Sequence, residues 1–192
     1  MEQLKQEVLS CTKCDLHKTR HNVIFGEGNT SARILIVGEA PGHDEDIIGR
    51  PFVGKSGQLL DKIHAACGFT REQHIYISNI VKCRPPGNRV PSDDESRTCV
   101  PYLFRQIELI DPLIIMPLGA SALRVFFGKE YRITQVRGNW LNWYSKLVMP
   151  VYHPAALLRN PNLKRDTWED YKKVVRKYRE LVDPAHYSEY IG

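Results

Sequence analysis

No apolar run in the 192 residues approaches the length that crosses a bilayer, and the chain has neither an internal repeat nor a low-complexity tract. A helical membrane span and a repeat architecture are thereby excluded. Met1 to Glu7 is polar and helix-like, so a secretory leader is not expected and a cytoplasmic protein is. Excess charge is scarce. A formal net charge of +5 favours an anionic partner but is far too small to identify nucleic acid unaided. Cysteine is sparse as well, with five residues at 11, 14, 67, 83 and 99. In a reducing compartment metal or cluster binding explains them better than disulfides do. What remains is an ordinary globular composition, 42% apolar and 26% charged. Residues 1–192 suit a single α/β domain with a real core.

The chain is organised around Gly38-Glu39-Ala40-Pro41-Gly42-His43, which follows directly from the apolar run Ile34–Val37. A short, wholly apolar run closed by glycine reads as a strand buried on both faces, as in a parallel sheet. Open α/β sheets bind their ligands just beyond such strand ends. Further strands are read at Ile75–Val81, with Asn79 near its carboxyl end, and at Leu113–Met116. A fourth, Leu147–Val151, contains Pro150, which suggests an edge or a bulge, and delivers His153-Pro154-Ala155. In a parallel sheet Glu39, Asn79 and His153 then lie along one edge and converge on one crevice.

Helices are expected over residues 2–9, 56–67 and 163–181, and another starts at the capping box Ser92-Asp93-Asp94-Glu95. Pro101 is expected to kink or split that one, since it removes an interior hydrogen bond. Residues 133–143 read as irregular or hairpin-like, and the tail from about residue 184 as loosely attached.

Several local patterns have two readings. Cys11-x2-Cys14 lets two thiolates converge on one metal; a redox dithiol fits less well because no strand precedes it. Cys67, alone at a helix end, reads as a small core residue. Gly49 to Ser56 satisfies the phosphate-loop pattern G-x-x-x-x-G-K-[ST], yet no strand feeds it and no later strand ends in an Asp to hold Mg²⁺. Phe52, within that glycine-punctuated loop, is either a stacking platform for a planar ligand or an anchor for the loop. Asn79 is either structural, with its amide satisfied, or a donor–acceptor pair suited to a nucleobase edge.

Taken together, Cys11-x2-Cys14, Gly38–Gly42, Gly49-Arg50-Pro51-Phe52-Val53-Gly54, Asn79 to Pro86 and His153-Pro154-Ala155 resemble the family 4 uracil-DNA glycosylases. This is the iron–sulfur-containing branch of bacteria and archaea, and the resemblance runs from Cys11 to about Tyr171. It implies a three-layer α/β/α fold with a four-stranded parallel sheet. It implies a structural [4Fe–4S] cluster on Cys11, Cys14, Cys83 and Cys99, although four thiolates at these spacings suit zinc equally well. The implied activity is monofunctional DNA repair by a monomer. Uracil is flipped out of single- or double-stranded DNA and its N-glycosidic bond is hydrolysed.

The same resemblance distributes roles. Phe52 would stack on the uracil, Asn79 would read its O4 and N3–H edge, and the backbone of Glu39, Ala40 and Pro41 would complete the pocket. His153 would donate a hydrogen bond to the charge developing at O2. Ala40 stands where family 1 glycosylases carry Asp, so the direct counterpart of their water activator is missing. Glu39 is the first candidate for that task and Glu45 or Asp46 the second, with a solvated acidic turn as the alternative for the latter two. His43 matches the last position of the family 1 pattern Gly-Gln-Asp-Pro-Tyr-His. Gly42 replaces its Tyr, so thymine's methyl group must be excluded from elsewhere. Leu157 is expected to wedge into the gap left by the flipped base, assisted by Leu158 or Arg159, unless the leucines simply pack the following helix. Arg84, Arg89, Arg159, Lys164 and Arg165 are candidate phosphate contacts or solvated charges. Two other functions are compatible with the sequence: a phosphate-loop nucleotide hydrolase using Lys55 and Ser56, and a catalytically silent, cluster- or zinc-containing nucleic-acid-binding module.

Overall fold

A computed structural model describes residues 1–192. Its strands are β1 (Glu27–Gly28), β2 (Ile34–Gly38), β3 (Ile75–Asn79), β4 (Ile114–Pro117), β5 (Leu141–Trp143) and β6 (Lys146–Val148). Its helices are α1 (Glu2–Leu9), α2 (His43–Ile48), α3 (Lys55–Ala66), α4 (Asp93–Ile110), α5 (Gly119–Phe127), α6 (Ile133–Val136), α7 (Pro154–Arg159) and α8 (Leu163–Leu181). The sheet order is β1-β3-β2-β4-β6-β5, and the four inner strands are mutually parallel.

Every residue of β2, β3 and β4 is buried, which is why Ile34–Val37, Ile75–Ile77 and Ile114–Met116 read as apolar runs rather than alternations. The alternation is present in three dimensions. Leu35, Val37, Tyr76 and Ile115 pack with α1, α4 and α5 on one face. Ile34, Ile36, Ile75, Ile77, Ile114 and Met116 pack with α3 and α8 on the other. This is the expected three-layer arrangement.

Four expectations need correction. The sheet has six strands, not four, because short antiparallel strands β1 and β5 flank the parallel core. At two and three residues, they are too short to show a period. The fourth parallel strand covers Lys146–Val148; at Val151 only an isolated bridge to Leu118 continues it. Helix α4 runs on through Pro101, which sits on its exposed face, where water can satisfy the carbonyl that the proline leaves free. The capping box at Ser92 and Glu95 is present as read.

The tail is also fastened rather than loose. His186 stacks on Phe69 at 4.7 Å, and its Nε2 lies 2.9 Å from the Cys67 carbonyl. Ser188 Oγ donates to the Ala66 carbonyl, and Ile191 is buried. These anchors are the free carbonyls at the end of α3, which a polar tail sequence does not advertise. No helix is long and apolar enough to cross a membrane.

Candidate active site

The carboxyl ends of the parallel strands open into a cleft of about 540 Å³. Glu39, Ala40, Pro41, Phe52, Asn79 and His153 all line it, together with Ser121 from the start of α5. Residues from four separate stretches meet because β2, β3 and the segment after β6 end on the same side of one sheet. Asn79 is the last residue of β3 and pairs in register with Gly38. It is 1% exposed, and its Oδ1 has no hydrogen-bond partner in the protein. A buried acceptor left open in this way is a place for a donor from outside the chain.

Phe52 is held over the cleft by a strained backbone, with φ at +52°. Arg71 fixes that conformation by donating to the carbonyls of Pro51 and Phe52, each at 2.8 Å. Asp61 and Glu27 in turn hold the guanidinium. Gly57 permits the fit, because a methyl there would collide with the Phe52 backbone. The ring centroid of Phe52 lies 5.7 Å from that of His153.

His153 caps α7, its Nδ1 accepting from Ala155 N–H at 3.1 Å. The accepting nitrogen carries no proton, so the neutral ring keeps its proton on Nε2. Burial, with the Arg159 charge adding, pulls its pKa down to about 4. At neutral pH this side chain is therefore an uncharged donor. Glu39 receives the Ser121 hydroxyl on Oε2, while Oε1 takes no hydrogen bond from the protein.

A family model for the uracil DNA glycosylase superfamily matches residues 25–174. A type-4 uracil-DNA glycosylase of Thermotoga maritima is 49% identical over 177 residues, covering 90% of this chain and 92% of that protein. One from Sulfurisphaera tokodaii is 47% identical, covering 98% and 88%. The chain belongs to the type-4 uracil-DNA glycosylases. A solved structure of Pedobacter heparinus SMUG2 matches with a TM-score of 0.50 at 15% identity, over 79% of this chain and 76% of that one, and shares the fold.

In this type-4 chain Glu45 and Asp46 do not form a solvated acidic turn, because their carboxylates are taken up by donors of the protein itself. Both Glu45 oxygens are engaged by backbone amides, Oε1 by Val53 and Gly54 and Oε2 by Gly42. Glu45 touches the cleft yet serves as a clamp between two of its loops. Asp46 does not line the cleft. It is wholly buried and accepts from His21 N, His21 Nδ1 and Asn22 N. The phosphate-loop reading fails on the same contacts. Helix α2, not a strand, precedes Gly49, and the amides such a loop would offer to phosphate donate to Glu45 instead.

The candidate DNA contacts separate. Leu157 is 1% exposed and packed inside, so it is no wedge, whereas Leu158 is 46% exposed. Arg159 and Arg89 line the cleft; Arg89 also forms a bidentate pair with Glu95. Arg84 bonds Asn88 and His43, so His43 faces Arg84 in the segment after β3 rather than the cleft floor. Lys164 and Arg165 are exposed on α8.

Cys11, Cys14, Cys83 and Cys99 line one small cavity with Arg20, Lys82 and Tyr102. Arg20 Nη1 donates to Cys83 Sγ at 3.0 Å, and the buried Tyr102 hydroxyl has no partner. No three His, Cys, Asp or Glu side chains are grouped tightly enough to share a single metal ion. Cys67 lies elsewhere in the core, its thiol pushed up to about 12 by burial. Sequence reasoning missed three supporting residues: Ser121 on Glu39, Arg71 behind Phe52 and Lys82 beneath Asn79. The last carries only a weak sequence signal, its place just ahead of Cys83-Arg84.

Proposed function

We propose that the chain excises uracil from DNA as a single-domain monomer, the cleft taking the extruded base. Asn79 Oδ1 carries this reading. A buried acceptor without a partner suits the N3–H of uracil, whereas cytosine brings an acceptor to that point and leaves both unpaired. Phe52 stacks on the base. His153 Nε2–H donates to O2 as the bond breaks and negative charge gathers on the leaving uracil. Glu39, with one free carboxylate oxygen and the other tied to Ser121, orients the attacking water near the sugar. Leu158 fills the vacated stack, and Arg84, Arg89 and Arg159 meet phosphates.

Cys11, Cys14, Cys83 and Cys99 hold a [4Fe–4S] cluster in this proposal. Four cysteines lining one cavity suit a thiolate-held group, and the likeness to the type-4 family favours iron and sulfur over zinc. When bound, the cluster supplies order, joining the N-terminal turn to the loop after β3.

The test is incubation with single- and double-stranded oligonucleotides containing one uracil, with cytosine in its place as control. Free uracil and an alkali-labile site are expected from both uracil substrates, undiminished by EDTA. Tight, salt-sensitive binding without release would instead identify a silent nucleic-acid-binding module.

A further inference from the structure

We propose that Lys82 is a positioning residue that couples the cysteine cavity to the base-reading end of β3; this deepens the function proposed above and rests on it. Lys82 is 1% exposed, and all three ammonium donors are used within the core. They go to Ser78 Oγ at 2.5 Å, Gln106 Oε1 at 2.7 Å and the Asn79 carbonyl at 2.8 Å. Ser78 also donates to Gln106 Oε1, and Gln106 Nε2 donates to the Phe25 carbonyl. The ammonium thus holds the main chain of Asn79, whose buried side-chain oxygen is left without a partner in the cleft.

The unusual feature is the charge. A buried ammonium is normally kept by a carboxylate, because removing it from water unpaired is costly. Lys82 forms no ion pair with any Asp or Glu, and every hydrogen-bond partner it has is neutral. Its other surroundings are the cavity that it lines with Cys11, Cys14, Cys83 and Cys99. Metal-bound cysteines are thiolates, so a loaded cavity provides the counter-charge that the protein otherwise withholds. One cation then serves two sides. Its charge answers the thiolates, and its donors lock Asn79 at the height where it meets the base. An uncharged residue of the same length would pack the space and do neither.

The experiment compares Lys82→Met with wild type, as the metal-loaded protein. Melting temperature and iron and sulfide content establish that the variant is folded and filled. The expected results are about tenfold weaker binding of free uracil, as for one lost positioned hydrogen-bond network, and KM raised more than kcat is lowered. The cluster's reduction potential should also become more negative, because a nearby positive charge that favours the reduced state is gone. Ser78→Ala, which keeps the charge and removes one of its supports, should weaken uracil binding without moving the potential, and it carries the test if Lys82→Met does not fold. Unchanged uracil affinity in a folded, loaded Lys82→Met protein overturns the proposal. So does an unchanged potential beside a weakened affinity, which would make Lys82 a purely local support. Wild-type protein that releases no uracil overturns the proposed function itself, and this inference with it.

Discussion

Gly38 offers the sharpest test of the cleft, because a single methyl group there meets both residues assigned to the base. It closes β2, in register with Asn79 on the neighbouring strand, and its backbone is ordinary enough to accept alanine. A Cβ built at this position lies 2.6 Å from Phe52 Cζ and closer still to Asn79 Oδ1, whereas ordinary contact begins near 3.4 Å. Gly38 sits in a central strand paired on both sides, so the side chains must yield. Phe52 and Asn79 each have to retreat by about 1 Å, and a displacement of that size at a reacting site costs roughly 10²-fold. That corresponds to about 2.7 kcal/mol of lost transition-state stabilisation. Overpacking should cost about 1–3 kcal/mol in stability. The assay is kcat/KM for uracil release from a single-stranded oligonucleotide, beside a thermal melt. A folded Gly38→Ala protein with wild-type kcat/KM would refute the placement of Asn79 and Phe52 about one base.

Other expectations follow from the same geometry. His153→Ala should lower kcat by roughly 10²–10³ with little change in KM, measured by single-turnover kinetics, since its donor acts on charge present only in the transition state. His153 and His64 have folded pKa values near 4 and 3, below the unfolded value of 6.5. The unfolded chain therefore binds more protons between these limits, and stability should be full above pH 6.5 and fall by several kcal/mol towards pH 4, as read by urea titration. Leu157→Ala should cost about 2–5 kcal/mol in stability, as a core truncation does. Leu158→Ala should leave the melt unchanged while lowering activity on double-stranded DNA more than on single strands. Cys83→Ala should lose the brown colour and the iron, whereas Cys67→Ala should keep both.

The sequence by itself determined the parallel core and the edge on which the site lies. Ile34–Val37, Ile75–Ile77 and Ile114–Met116 are buried on both faces, and such strands leave short, isoleucine-rich apolar runs with turn residues nearby, which favours strand over helix. Glu39 and Asn79 follow the first two of those runs and His153 follows the fourth parallel segment, so their convergence was legible from the parallel sheet. Leu157 and Leu158 were not separable in that way. Helix α7 has six residues, under two turns, and so short a helix has no periodicity to show which of two adjacent leucines faces inward.

Tertiary structure decided whatever depended on partners distant in sequence. Asp46 became a buried clamp because His21 and Asn22, about 25 residues earlier, bring donors to it. Lys82 turns into the core, away from its basic neighbours Arg84 and Arg89, because Ser78 and Gln106 offer acceptors there. The fate of a charge is set by whether burial finds it enough hydrogen bonds, and those come from wherever the fold brings the chain back.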